Sequence, residues 1–96
     1  MSTVLERLLR YVAYDTQSVE KADCFPSTEK QKVLGRALME ELRELGAANV
    51  RMMEPYGYVF ADIPSNLPDG RKQPVIGFLA HLDTAPAVSG ANVRPR

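Results

Sequence analysis

The sequence has little cysteine and histidine, and it has no excess charge of either sign. Its 96 residues include 1 cysteine and 1 histidine, and 12 basic side chains balance 12 acidic ones. A neutral chain lacks the long-range field that attracts nucleic acid or an anionic membrane surface, so we expect neither partner. A lone thiol, Cys24, cannot form an internal disulfide, which favours a reducing compartment and a cytoplasmic location.

Long apolar runs are also missing. No stretch approaches the roughly 20 apolar residues that a helix needs to span a bilayer. The amino terminus lacks the charged head, apolar body and small-residue cleavage site of a secretory signal. Apolar residues make up 45% of the chain and charged residues 25%, which are ordinary values for a globular protein. The composition therefore predicts one small folded unit.

Two segments show the pattern of amphipathic helices. Thr3 and Glu6 have the spacing of a capping box before an apolar stripe, which predicts a first helix that packs in the core. Thr28 and Gln31 repeat this spacing and predict the cap of a second helix, which Gly46 would end in left-handed geometry. The buried stripe of the second helix is predicted to comprise Leu34, Leu38, Leu42 and Leu45.

Three strand-like runs follow the helices. Residues 49–54 and 58–63 flank Pro55-Tyr56-Gly57, which predicts a hairpin. After a loop with a turn at Asp69-Gly70, the run 75–79 is almost entirely apolar, as in strands that are buried on both faces of an α/β sheet. The order helix, helix, strand, strand, strand indicates an α/β or α+β fold.

The candidate catalytic or metal-binding residues, His81 and Asp83, come just after the third run. Residues two apart in a strand point to the same face, so both side chains should project together from the strand's carboxyl end. Open α/β sheets bind ligands at that end, and a carboxylate that holds the second ring N–H of a histidine is common at metal sites. The pattern alone leaves a structural histidine and a metal ligand both open, because a catalytic zinc usually has three protein ligands.

Other reaction types find no support in the sequence. A triad of Ser89, His81 and Asp83 lacks the G-x-S-x-G elbow of serine hydrolases. The glycines are scattered and form no phosphate-binding loop. Cys24 has no second cysteine or histidine beside it, which disfavours a role as a zinc ligand.

Three motifs carry a resemblance to a known family. They are Tyr-Asp-Thr-Gln-Ser at 14–18, Pro-Ser-Thr-Glu at 26–29 and Gly-Phe-Leu-Ala-His-Leu-Asp-Thr-Ala-Pro at 77–86. Over essentially its full length, the chain resembles the amino-terminal part of the co-catalytic zinc peptidases, the family of the aminoacylases and carboxypeptidase G. The longer form H-x-D-T-x-P, followed by S-G-x-N-V-x-P at 89–95, resembles the version found in tripeptide aminopeptidases.

The resemblance implies an α/β fold, with two helices packed on a mixed three-stranded sheet. Residues 1–96 would form the amino-terminal part of a three-layer zinc-peptidase catalytic domain, without the rest of that domain or the lid and dimerisation domain. It also implies that His81 is the first zinc ligand and that Asp83 is the catalytic aspartate that holds the imidazole. Two zinc ions per site would serve to remove the amino-terminal residue from a tripeptide substrate, with the other ligands and the glutamate base supplied downstream. The 96 residues alone would be inactive.

An unfinished sheet suggests a second interpretation of the chain. A third strand with no further neighbour would expose an unpaired edge, which predicts self-association through that edge. The alternative function is therefore a non-catalytic small α/β interaction domain that recruits a partner strand, with His81 in a structural role.

Overall fold

Two helices come first along the chain, and two strands follow them. The computed structural model describes residues 2–68 and 70–96, so the predicted turn at Asp69 lies outside the described residues. The elements in chain order are α1 (Val4–Tyr11), α2 (Gln31–Glu44), β1 (Ala48–Met53) and β2 (Tyr58–Asp62). The predicted α/β class with two helices is confirmed, and the three-stranded sheet is confirmed only in part, because the observed sheet has two antiparallel strands. None of the helices in the described ranges has the length and apolar character to cross a bilayer.

Helix α1 begins with the predicted capping box. The Glu6 amide donates to Thr3 Oγ1 at 3.1 Å, and the Thr3 amide donates to Glu6 Oε2 at 2.7 Å. The prediction that α1 packs in the core is wrong, because its apolar side chains are exposed. The helix is attached to α2 through polar groups instead: Arg7 Nε lies 2.7 Å from Glu41 Oε1, and the Tyr11 hydroxyl donates to Glu41 Oε2 at 2.7 Å.

Helix α2 starts later than the sequence predicts. The N-cap residue is Lys30, and Thr28 lies ahead of the helix, where its hydroxyl donates to the carbonyl of Gln17 at 2.9 Å. The predicted capping box of Thr28 and Gln31 is therefore wrong, because Thr28 Oγ1 accepts the side-chain Nε2–H of Gln31 at 3.0 Å in place of a backbone amide. The helix ends as predicted at Gly46, whose φ of +88° is in the left-handed region that glycine tolerates.

The predicted hairpin is confirmed, and the small core lies between it and α2. Strand β1 pairs with β2 in an antiparallel register that sets Met53 opposite Tyr58. Leu34 of α2 is only 7% exposed, and among the described residues it is the one buried large apolar side chain. Next to it, a Cβ on Gly35 would lie 2.8 Å from Met52 Cε and 3.3 Å from Val59 Cγ2, so the glycine allows α2 to approach the sheet closely.

The apolar run at 75–79 differs most from its prediction. It forms no strand in the described part of the chain, and Val75, Phe78 and Leu79 are 100%, 95% and 95% exposed. The prediction of a doubly buried strand is therefore wrong for these 96 residues, because no described element lies alongside the run to pair with its backbone or cover its faces. The chain is accordingly open, with a radius of gyration of 15.9 Å against about 13 Å for a compact domain of 100 residues.

Candidate functional site

His81 and Asp83 lie side by side, as the spacing in the sequence predicts. The distance from His81 Nδ1 to Asp83 Oδ1 is 2.9 Å, within hydrogen-bonding range. The side chain of His81 is 84% exposed and that of Asp83 is 37% exposed, so the pair is open to solvent. Both side chains are thus accessible to a ligand that approaches from the solvent.

The alternation of side chains along the segment explains this arrangement. Leu82, between the two polar residues, packs on α2, where its Cδ1 lies 3.7 Å from the position of a Cβ on Gly35. Because successive side chains in extended backbone point in opposite directions, the leucine that packs inward turns His81 and Asp83 outward together. Gly35, where α2 lies close to the sheet, is therefore also the place where Leu82 packs and orients the candidate site.

The chain segment at 16–18 holds the residue that follows the pair. Gln17 and Thr84 form an isolated parallel bridge, in which the Thr84 amide donates to Thr16 O at 3.1 Å and the Ser18 amide donates to Thr84 O at 3.0 Å. Thr16 is almost completely buried. The bridge joins positions that are far apart in sequence, so it is a tertiary feature of the site.

The environment of Asp83 favours its ionised form. Partial desolvation raises the pKa of the carboxyl group, but hydrogen bonding from His81 and from Ser18 outweighs that effect and leaves the pKa below its ordinary value of 3.8. The Ser18 hydroxyl also lies 3.0 Å from Thr84 O, where its single hydrogen can be donated instead. An ionised Asp83 can accept the Nδ1–H of His81, which leaves the Nε2 lone pair for a metal ion.

The donor set at His81 and Asp83 supports one position of a metal site. The imidazole–carboxylate pair has the chemistry of a zinc ligand with its supporting acid. In residues 2–68 and 70–96, however, no group of three or more histidine, cysteine, aspartate or glutamate side chains is placed to hold a metal ion. Cys24 is exposed, and its thiol lies 3.5 Å from Pro26 O.

Several residues that build the site were not assigned a role from the sequence. Gln17 Nε2 donates to Pro86 O at 2.9 Å, and Lys30 Nζ lies 2.9 Å from Asp15 Oδ2. The ion pair lowers the pKa of Asp15, mainly through the hydrogen bond from Lys30. The motif at 14–18 carried part of the family resemblance, and it was the available signal that this segment belongs to the site.

Comparison with known proteins finds relatives that share one name. No family model matches it. Over 96 residues it is 50% identical to the Peptidase T of Halothermothrix orenii and 46% identical to that of Clostridium acetobutylicum, covering 100% of this chain and 23% of each relative. The Peptidase T of Desulfitobacterium hafniense strain Y51 is 51% identical over 94 residues, which are 98% of this chain and 22% of that protein. The chain thus spans less than a quarter of the length of these relatives. The resemblance seen in the sequence is confirmed: along its whole length, this chain matches a part of peptidase T.

Proposed function

We propose that this chain supplies the first metal ligand of a zinc-dependent aminopeptidase that removes the amino-terminal residue from tripeptides. The observation that carries the proposal is the 2.9 Å contact between His81 Nδ1 and Asp83 Oδ1 in a pair that is open to solvent. The identity of 46–51% to proteins named Peptidase T supports the class of reaction.

Each residue of the pair has a distinct part in this proposal. His81 would bind the metal through Nε2, and Asp83 would hold the opposite ring nitrogen and fix the tautomer and direction of the ring. When bound, two zinc ions would lower the pKa of a shared water and polarise the scissile carbonyl. The remaining ligands and the general base would come from elsewhere in a longer protein, so the 96 residues alone should not hydrolyse peptides. We also propose a cytoplasmic location, which the lone thiol Cys24 favours.

The first experiment measures tripeptide cleavage by the full-length gene product that contains these residues. We expect a chelator to abolish cleavage and added zinc to restore it. His81→Ala should abolish activity, because it removes a ligand, and Asp83→Asn should lower metal affinity or activity by about 10–100-fold, the usual effect of losing a ligand's supporting acid.

The control for these variants is Gln73→Ala, at a half-buried loop position whose side-chain amide donates to the nearby carbonyl of Arg71. It should cleave tripeptides at the unaltered rate. Cleavage that persists in chelator would contradict the zinc mechanism, and a fully active Asp83→Asn variant would contradict the role of the aspartate alone.

A second candidate is an interaction domain, which the exposure of the apolar run at 75–79 favours. Val75, Phe78 and Leu79 are almost completely exposed, so they form an apolar surface that favours association. In this candidate function the run recruits a strand from a partner or from a second copy of the chain, and His81 is structural. Assembly of the chain that does not depend on zinc would support this second candidate function.

A further inference from the structure

The chain on the carboxyl side of the candidate ligand is fastened from three directions. The backbone of Thr84 is bonded on both sides by the segment at 16–18, through Thr16 O and the Ser18 amide. Gly90 is buried against the same residue, and a Cβ there would lie only 2.8 Å from Thr84 Oγ1. The backbone of Thr84, one residue after Asp83, is therefore held in place although the residue itself stays exposed to solvent.

Two side chains of the 16–18 segment strengthen this attachment. Gln17 Nε2 donates to Pro86 O at 2.9 Å, two residues beyond the bridge. The Ser18 hydroxyl lies 3.0 Å from Thr84 O, which the Ser18 amide also reaches at 3.0 Å. Both side chains thus extend a single bridge into a set of hydrogen bonds that spans residues 84–86.

The 16–18 segment is itself held on the turn that leads into α2. Gln17 O accepts the hydroxyl hydrogen of Thr28 at 2.9 Å, and the neighbouring Asp15 is paired with Lys30 at 2.9 Å. Leu82 packs on the same helix near Gly35. The candidate site and the segment that fastens it therefore share one rigid support, since both rest on α2 or on the turn that leads into it.

Among the residues that the structure describes, no comparable restraint acts on the amino side of the pair. The run at 75–79 is exposed and belongs to no strand in the part of the chain that the structure describes. The direction of the His81 ring consequently depends on the contacts that follow it. Small errors in such a direction matter, because a displacement of about 1 Å in a catalytic group can reduce a rate by about 100-fold.

We propose that Gln17 and Ser18 are positioning residues for the His81–Asp83 pair. They fix the backbone at 84–86 and thereby aim the imidazole at the metal position, without touching the metal or the substrate themselves. This inference rests on the proposed function, since it assigns to His81 the role of a zinc ligand. It goes beyond that function because it gives the Tyr-Asp-Thr-Gln-Ser motif at 14–18 a physical task.

The test compares zinc affinity in matched variants of the full-length protein, measured by competition with a chromophoric chelator. We expect Gln17→Ala and Ser18→Ala to weaken zinc binding by about 10–100-fold, as for other groups that orient a ligand. Ser18→Thr keeps a hydroxyl and should restore most of the affinity. The matched controls are Gln73→Ala and Ser65→Ala, whose side chains bond to nearby loop backbone, and these should bind zinc normally.

A second readout needs neither zinc nor activity. In the metal-free protein, Gln17→Ala should speed hydrogen exchange at the Thr84 amide at least several-fold, while the midpoint of global unfolding stays close to that of the Gln73→Ala control. Faster exchange with an unchanged midpoint would separate local loss of position from general loss of stability.

The outcomes distinguish this inference from the proposed function. If His81→Ala loses zinc but Gln17→Ala and Ser18→Ala bind it as tightly as the controls, the positioning role is wrong and the metal role stands. If His81→Ala binds zinc normally, the proposed function itself fails. A loss of affinity in Ser18→Ala that Ser18→Thr does not repair would also overturn the role of the hydroxyl.

Discussion

The chain is held in different ways on the two sides of the His81–Asp83 pair. Before the pair, the strongly apolar run at 75–79 is exposed along its length. After it, Thr84 is bonded through its amide and its carbonyl to a segment that lies more than 60 positions away in sequence. The more hydrophobic side is thus the less restrained one. Apolar character creates a need for burial, but a segment is fixed only where another element meets it.

A comparison of the two apolar runs leads to the same conclusion. Strand β2 contains two charged or polar-tipped residues, Tyr58 and Asp62, yet both of them have a partner on β1 across a ladder with one irregularity. Its partner is only a short turn away, and Gly57, with a φ of +72°, supplies the left-handed residue that the turn needs. The run at 75–79 has no such local partner, so closing a longer loop would be required to cover it.

The largest expected effect comes from truncating Leu34, the buried leucine of the small core, in contrast to a leucine of the exposed run. Leu34→Ala should lower the free energy of unfolding by about 2–5 kcal/mol, the range for a buried leucine that leaves a cavity. The matched control is Leu79→Ala, because that leucine is 95% exposed; its effect should stay within about 0.5 kcal/mol. Urea unfolding followed by circular dichroism measures both, at a protein concentration at which light scattering finds a monomer. Equal losses in the two variants would show that the run at 75–79 is buried in solution.

An intermediate effect is expected from the exposed run in the isolated chain. We predict that the 96-residue chain forms dimers or larger assemblies through residues 75–79, as measured by multi-angle light scattering. Phe78→Lys should shift the population towards monomer, because it places a charge within the apolar surface. Phe25→Lys is the control, since Phe25 is also exposed but lies outside the run. A monodisperse monomer for the unaltered chain would contradict the prediction.

The smallest effect concerns the pH dependence of the site. The pKa of Asp83 is lowered in the folded chain, so ionised Asp83 stabilises the fold above the ordinary value of 3.8, and this contribution is lost as the pH falls through the folded value. His81→Ala removes a hydrogen bond and a nearby charge that lower the pKa, so the pKa of Asp83 should rise. Carbon-13 NMR of the carboxyl groups measures it.

Asp15 provides the internal control for this titration. Its pKa is lowered chiefly by Lys30, which His81→Ala leaves in place. The pKa of Asp15 should therefore stay unchanged while that of Asp83 rises. A rise in both would indicate that the substitution loosens the 16–18 segment as a whole, and it would remove the distinction between the two sides of the pair.

Local rules predicted most of the elements. The capping box of Thr3 and Glu6, the left-handed Gly46 and the hairpin turn at Gly57 each depend on residues within a few positions of one another, so their patterns could be interpreted directly. The cap at Thr28 failed because the helix begins later, with Lys30 as N-cap, and Thr28 instead donates to Gln17, eleven positions away. The burial of α1 and of the run at 75–79 likewise depends on distant elements that periodicity does not identify.

The candidate site divides in the same way. The spacing of His81 and Asp83 determined that the two side chains lie on one side of the chain, because alternation along extended backbone is a local property. Only the tertiary structure decided that Leu82 would turn inward onto α2, that the segment at 16–18 would fasten Thr84, and that the run at 75–79 would stay uncovered. These features arise from hydrogen bonds and packing between remote segments, which depend on the path of the whole chain.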